Sequence, residues 1–437
     1  MSRTATPLTR RQLTGWRNAL FSVFGLCGLG FASWAARVPA VSESLGLRAD
    51  QLGILLFGLA VGSIVGLVAS GHLVARFGAR TIITWTLVGA PLGISLAAFG
   101  ATTLQVFAVS FIGLMVYGAS MGICDVAMNV SGAANERALG RTIMPVFHAF
   151  FSIGTMLGAA LGALAEFLAV PLDVHIGALA VLMIAAAFVT VRHLVPETVI
   201  VEDHHTKESP AQSWRERLGA WRDGSTLLIG LIVLGMAFAE GSANDWLAYA
   251  MVNGHGTDAG TGAVVFGVFV TAMTVGRLAG VPILDRFGRV PVLRGSAVLA
   301  AIGLLLLIFV PIVWIAIAGV VLWGLGASLG FPVGMSAAAD DPKKAAGRVS
   351  VVATIGYMAF LVGPPVIGFL AEGFGVLNGM LVVLVLVAVA GVVSHAAREP
   401  RGEARSDQVG APTASEPQNS GHRDPQPSDR PSKEANR

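Results

Sequence analysis

Apolar residues run along this chain in long stretches, each near the ~20 residues that a helix needs to cross a bilayer, with Gly, Pro and charged residues between them. Twelve such stretches predict spanning helices at 18–38, 51–74, 80–99, 104–130, 144–167, 173–192, 225–250, 260–284, 290–309, 311–335, 347–371 and 376–396. Residues 193–224 form the one long polar connection and divide the spans six and six. The expected units are therefore an N-terminal bundle over 18–192 and a C-terminal bundle over 225–397. Residues 1–17 precede the first span as a cytoplasmic segment. Residues 398–437, rich in Pro, Ser, Glu, Asp and Arg, lack the apolar content to fold and predict a disordered cytoplasmic tail.

Composition sharpens this pattern. Of 437 residues, 54% are hydrophobic and 13% charged, against about 25% charged in soluble domains. A core able to hide that much apolar surface exceeds what one soluble domain forms, so the expected fold class is an all-α membrane protein. The 54 glycines predict helices that approach one another closely. Cys27 and Cys124 lie inside apolar runs without C-x-x-C spacing and are expected to be small packing residues. Arg10, Arg11 and Arg17 ahead of an apolar run resemble the start of a signal peptide, but the many later spans favour an uncleaved first helix.

The net charge is +3, yet the basic residues form no stripe interleaved with aromatics, which argues against nucleic acid as a partner. They gather in alternate connections, from Arg76 and Arg80 through Arg137 and Arg141 to Lys343, Lys344 and Arg348, while the other connections hold Arg37 and Arg48. The positive-inside rule then puts both termini in the cytoplasm. His204 and His205, adjacent on the central connection, read as solvated surface rather than metal ligands. No cofactor or metal is expected, and neither a G-x-x-x-x-G-K-[ST] loop nor a nucleophile elbow occurs. The chain is thus not expected to be an enzyme, and any work it does must draw on an existing gradient.

The two halves repeat each other. FGLAVG at 57–62 answers FGVFVT at 266–271, GASMG at 118–122 answers GASLG at 326–330, and GALAE at 162–166 answers GFLAE at 368–372. Trp34 and Trp246 also correspond. Such internal duplication is typical of secondary transporters whose substrate site lies between the halves.

GHLVARFGAR (71–80) and VPILDRFGRV (281–290) occupy equivalent connections. Gly78 and Gly288 permit a tight turn, and Arg76, Arg80, Arg286 and Arg289 anchor the cytoplasmic face. With Gly71 and Asp285, these segments resemble the G-x-L-x-D-R-x-G-R-R signature of the major facilitator superfamily, with Ala75 at the Asp position of the first copy and Val281 at the Gly position of the second. The resemblance implies two pseudo-symmetric six-helix bundles, and it gives Asp285 a latching role against a helix N-terminus of the other half. GASMGICDVAMN (118–129) is similar to the fourth-helix pattern of the fucose permease branch. ASWAAR (32–37) and EGSANDW (240–246) are similar to stretches of a set of bacterial inner-membrane facilitators. The first-helix Asp of fucose permeases falls at about Ala35 here, which argues against fucose itself as the substrate.

Charges inside spans are costly, at ~2.5–3.5 kcal/mol or more each, and mark function by default. Asp125 and Asn129 share a helix face, with His148 expected at similar depth; an Asp125/His148 pair is expected to carry or gate a proton, with Glu240 as a further coupling group. Glu240 with Asn244, and Gly241 with Asp245, place polar groups on two faces of the seventh span, and Arg37 with Asp245 or Glu240 is an expected outer gate. Arg277, on a stripe with Thr271 and Thr274, either binds substrate or supports Asp285. Trp34 and Trp246 either stack on a flat ligand or anchor at the membrane rim. Glu166 and Glu372 are expected to be structural. The expected function is alternating-access transport of a small solute with protons, sugar-like symport first, by a monomer in the lipid bilayer. A proton-driven exporter of cationic or amphipathic compounds and a non-transporting sensor are the alternatives.

Overall fold

A computed structural model describes residues 8–141, 143–195, 219–341 and 344–399. Most of the central connection, with His204 and His205, and the tail from residue 400 onward lie outside the described residues. Among the described residues, twelve helices long and apolar enough to span a membrane follow one another. They are α1 (Arg10–Ala35), α2 (Ala49–Phe77), α3 (Ala79–Thr102), α4 (Phe107–Leu139), α5 (Met144–Phe167) and α6 (Leu172–Val191). The second half holds α7 (Gly224–His255), α8 (Ala259–Phe287), α9 (Arg289–Phe309), α10 (Val313–Ala338), α11 (Ala345–Phe374) and α12 (Val376–Ala397). A two-turn helix, Val38–Leu45, follows α1.

Local chemistry sets the ends. Helix α1 begins earlier than its apolar run because Thr9 and Gln12 form a capping box, the Gln12 amide N–H donating to the Thr9 hydroxyl and the Thr9 N–H to Gln12 Oε1. Helix α4 continues past its apolar run to Leu139 and stops where Gly140 takes φ 64°. Beyond that turn Glu136 Oε2 accepts from the N–H groups of Ile143 and Met144 at 2.6 and 2.7 Å, a carboxylate on the N-terminus of α5. Asp223 and Asp258 cap α7 and α8; the hydroxyls of Thr226 and Thr261, donating to them, hold both carboxyls below the usual range.

The two halves share one packing scheme. In the first, α1 packs on α5 and α6, α2 on α4, and α3 on α4 and α6; in the second, α7 packs on α11 and α12, α8 on α10, and α9 on α10 and α12. Between the halves α2 meets α11 and α5 meets α8, again as equivalents. The fold is therefore an all-α membrane architecture of two pseudo-symmetric six-helix bundles. Close approach is reciprocal at the α2/α4 crossing: a Cβ on Gly62 would run into the Met115 carbonyl, and one on Gly118 into the Leu59 carbonyl. Cys27 and Cys124 fill the α1/α4 contact, their sulfurs 3.7 Å apart and both buried.

The connections α2/α3, α4/α5, α8/α9 and α10/α11 share one side, here called the basic face. Gly78 and Gly288 turn the α2/α3 and α8/α9 connections with φ 78° and 76°, which L side chains rarely adopt. Arg76 and Arg286 each lie over the neighbouring Phe ring. Arg289 binds Asp340 at 2.6 Å and the Ser336 hydroxyl at 3.1 Å, tying α9 to the end of α10. Gly71 faces open space, Arg80 lines a shallow groove beside α6, and Asp285 is exposed.

Candidate functional site

A cavity of about 320 Å³ lies at mid-depth between the halves, with walls from α1, α2, α4, α5, α7 and α11. Most of its wall is apolar or aromatic, as small-molecule sites usually are. Its charged lining consists of Asp125, Glu240 and Asp245, with Asn244 beside them; no Lys, Arg or His lines it among the described residues. On the face opposite the basic one the halves are in contact. Arg48 Nε reaches Glu372 Oε1 at 3.4 Å, and Phe167 of α5 covers Gly260 of α8. A Cβ on Gly53 would meet the Pro364 carbonyl oxygen at 2.6 Å, so α2 and α11 touch backbone to backbone there.

The carboxylates differ in their partners. Glu240 is gripped by Arg277, whose Nη2 donates to both carboxylate oxygens at 2.9 and 3.0 Å. Helix α10 is interrupted at Ser328 and Leu329, and Arg277 Nε donates to the Ser328 carbonyl at 3.4 Å, so one guanidinium serves both a half-buried acid and a carbonyl at the break. Asn129 Nδ2 donates to Asp125 Oδ1 at 3.2 Å and to the Asp125 carbonyl at 2.8 Å. Asp245 and Asn244 have no hydrogen-bond or ion-pair partner among the described residues. Replacing Glu240 with Gln is expected to lower stability by ~1.5–3 kcal/mol, the range for hydrogen bonds to charged groups. Thermal unfolding in detergent reads that loss, and the Glu240→Arg/Arg277→Glu swap should recover part of it; a swap no more stable than Glu240→Gln would show that the pair itself contributes nothing.

Several pairings expected from sequence are replaced by others. No hydrogen bond or ion pair joins His148 to Asp125; the imidazole is exposed and packs edge-on against Phe24 at 5.2 Å, because α5 turns it toward α1 and away from α4. Arg37 reaches neither Asp245 nor Glu240. It is 3% exposed and bound to Glu166 at 2.5 Å, to the Val170 carbonyl at 2.9 Å and to His175 Nδ1 at 3.5 Å. Burial pushes its pKa down, and the Glu166 carboxylate opposes that shift. Arg277 supports Glu240 rather than Asp285, and Thr271 and Thr274 bond carbonyls of their own helix. Trp34 and Trp246 neither line the cavity nor anchor at a rim: both are fully buried in the main core, with indole N–H groups that lack a partner. Asp285 makes no ion pair with the other half among the described residues.

The sequence reading missed Tyr117, Phe151, Tyr357 and Phe360, which line the cavity. Phe151 and Tyr357 lie at the offset that relates GALAE to GFLAE, so the repeat itself carried that signal. It also missed His175 and the seal formed by Arg48.

Membrane-spanning repeats around a central cavity define a multi-pass solute transporter. Residues 241–420 match the family described as Major Facilitator Superfamily. An uncharacterized MFS-type transporter of Yersinia pestis is 34% identical over 372 residues, covering 84% of this chain and 92% of the relative. The membrane protein MosC of Rhizobium meliloti is 27% identical, covering 84% and 88%. Among solved structures, a mutant of the nucleoside transporter NupG superposes with TM-score 0.69 at 14% identity, covering 87% of this chain and 99% of that one. A variant of the E. coli fucose:proton symporter FucP gives 0.60 at 15% identity, covering 88% and 98%. The chain belongs to the major facilitator superfamily. It is a transporter rather than an enzyme.

Proposed function

We propose that this chain moves a small polar organic solute across the bacterial inner membrane by alternating access, coupled to a proton, as a monomer with the basic face in the cytoplasm. The observation that carries this reading is a mid-depth cavity between the halves whose carboxylates Asp125 and Asp245 have no basic partner. A carboxylate so placed is stabilised by taking up a proton, and a group that must be protonated to cross a closed state couples solute movement to proton movement. Glu240 is less suited, because Arg277 already balances its charge. Asp125 is assigned the coupled proton: the Asn129 amide donates to Oδ1, and Oδ2, which has no partner among the described residues, is left to take the proton while that contact stays in place. One proton entering down ~100 mV yields ~2.3 kcal/mol, enough for roughly a fifty-fold solute gradient at ~1.4 kcal/mol per decade.

Contact between the halves at the Arg48 side supports reading this state as inward-facing. The fold relatives described as a fucose:proton symporter and a nucleoside transporter support a polar solute of ring size. The first reading is symport; the acidic lining favours, as a second, proton-driven export of a cation. Purified protein in proteoliposomes under an imposed pH gradient decides the matter, with a trapped pH dye reporting protons as sugars, nucleosides and amines are added in turn. Solute entry with proton entry is expected, and Asp125→Asn should keep solute exchange but lose pH-driven accumulation. Undiminished accumulation by Asp125→Asn would falsify its assignment, and opposite fluxes of proton and cation would establish the export reading.

A further inference from the structure

We infer that the solute carries an ammonium group, held by Asp245 and the aromatic faces around it. The inference rests on the cavity being the solute site and goes further by naming the charge the solute must bear.

Cavity charge is the first argument. Three carboxylates line the wall and no basic side chain does so among the described residues. Glu240 is neutralised from behind by Arg277, and Asp125 is the proton's group in the reading above. Asp245 faces the cavity with neither a hydrogen-bond donor nor a cation beside it among the described residues. An anion at this depth is costly unless a cation joins it, and a solute can be that cation.

The rest of the wall gives the second argument. Phe31, Tyr117, Phe151, Tyr357 and Phe360 bring five aromatic rings to one small cavity. The Phe360 ring lies against Gly241, where a Cβ would meet it at 2.9 Å, and Gly241 is one turn from Asp245 on the same face of α7. A carboxylate with aromatic faces is the chemistry that recognises organic ammonium ions, because the negative face of each ring attracts the desolvated cation. A neutral sugar would need a ring of hydrogen-bonding side chains, and this wall is largely apolar.

Matched pairs differing in charge test the inference at equilibrium, without any gradient. Choline is compared with 3,3-dimethylbutan-1-ol, and glucosamine with glucose, by calorimetric titration and thermal shift of the full chain in detergent. At least one ammonium member should bind at least tenfold more tightly than its neutral partner. Asp245→Asn should abolish that preference and Asp245→Glu should restore part of it, while Asp173→Asn, at a half-buried carboxylate bonded to Thr103 away from the cavity, should leave it intact. Phe360→Leu should weaken ammonium binding about two- to fivefold, as expected for one cation–π contact. Equal binding of the neutral partners, a preference that survives Asp245→Asn, or no binding by any ammonium member overturns the inference. A chain that binds ammonium but moves nothing in proteoliposomes would instead overturn the transport reading and leave this one standing; transport of neutral solutes alone would do the reverse.

Discussion

Arg37→Met should lower the stability of the folded protein by about 3–5 kcal/mol, the range for removing one partner of a buried ion pair. Arg37 is 3% exposed, and the substitution would strand Glu166 at the end of α5 with nothing to balance it. The same guanidinium holds the Val170 carbonyl, next to Ala169, which takes φ 51° in the turn between α5 and α6. A non-glycine residue in that conformation costs on the order of 1–3 kcal/mol and persists only where its surroundings hold it. Replacing both ion-pair partners with apolar residues of similar size, Arg37→Met with Glu166→Leu, should recover most of the loss, because no uncompensated charge remains. Chemical and thermal unfolding in detergent measure both variants. A double variant as unstable as the single one would mean that the carbonyl bond and packing, rather than the ion pair, hold this corner. Charge reversal distinguishes the observed partner from the one expected from sequence: Arg37→Glu should be rescued in part by Glu166→Arg and not at all by Asp245→Arg.

Transport should fall to background when the two halves are tethered across Arg48 and Glu372. Alternating access requires the contact between α2 and α11 to part on that face. The backbones approach closely beside this pair, since a Cβ on Gly368, one turn before Glu372, would meet the Ala49 carbonyl oxygen, next to Arg48, at 2.7 Å, and a bifunctional thiosulfonate is the linker chosen to bridge cysteines placed there. The ion pair itself contributes little, since Arg48 is 62% and Glu372 42% exposed and Arg48 also binds Asp50 at 2.6 Å. Exposed pairs contribute ~0–1 kcal/mol. Arg48→Cys/Glu372→Cys should therefore transport at close to the parent rate before bridging, stop when bridged, and recover when dithiothreitol cleaves the tether. The native Cys27 and Cys124 are buried and do not compete for reagent. Undiminished flux in the bridged protein would mean that this face does not open during transport.

The contrast between these sites shows what a linear reading can reach. The spans were legible because a bilayer imposes one length and one composition on any helix that crosses it, and the duplicated half because GASMG and GASLG kept both identity and spacing. Gly78 and Gly288 were legible as turns because a positive φ selects for glycine locally. Asp125, Glu240 and Asp245 stood out as charges within apolar runs, and all three line one cavity. Their partners did not. Arg37 and Arg277 both looked available to the carboxylates of α7, and which of them reaches Glu240 depends on how α7, α8 and the broken α10 cross. Aromatic residues were the least legible. Trp34 and Trp246 have the polar N–H and flat face of a binding residue yet lie within the core, whereas Phe360, indistinguishable in sequence from any lipid-facing Phe, lines the cavity.

Sequence alone thus determined the number, length and approximate ends of the membrane helices, the internal repeat, the family resemblance, and which side chains are too polar to face lipid, because each follows from transfer into hydrocarbon or from local backbone geometry. The tertiary structure decided which of those side chains meet: Glu240 with Arg277, Arg37 with Glu166, Arg48 with Glu372, and Asp245 with none among the described residues. Hydrogen bonds and ion pairs form over about 3 Å with strict direction. A helix crossing that rotates by a single residue replaces one partner with another while leaving the hydrophobic pattern unchanged.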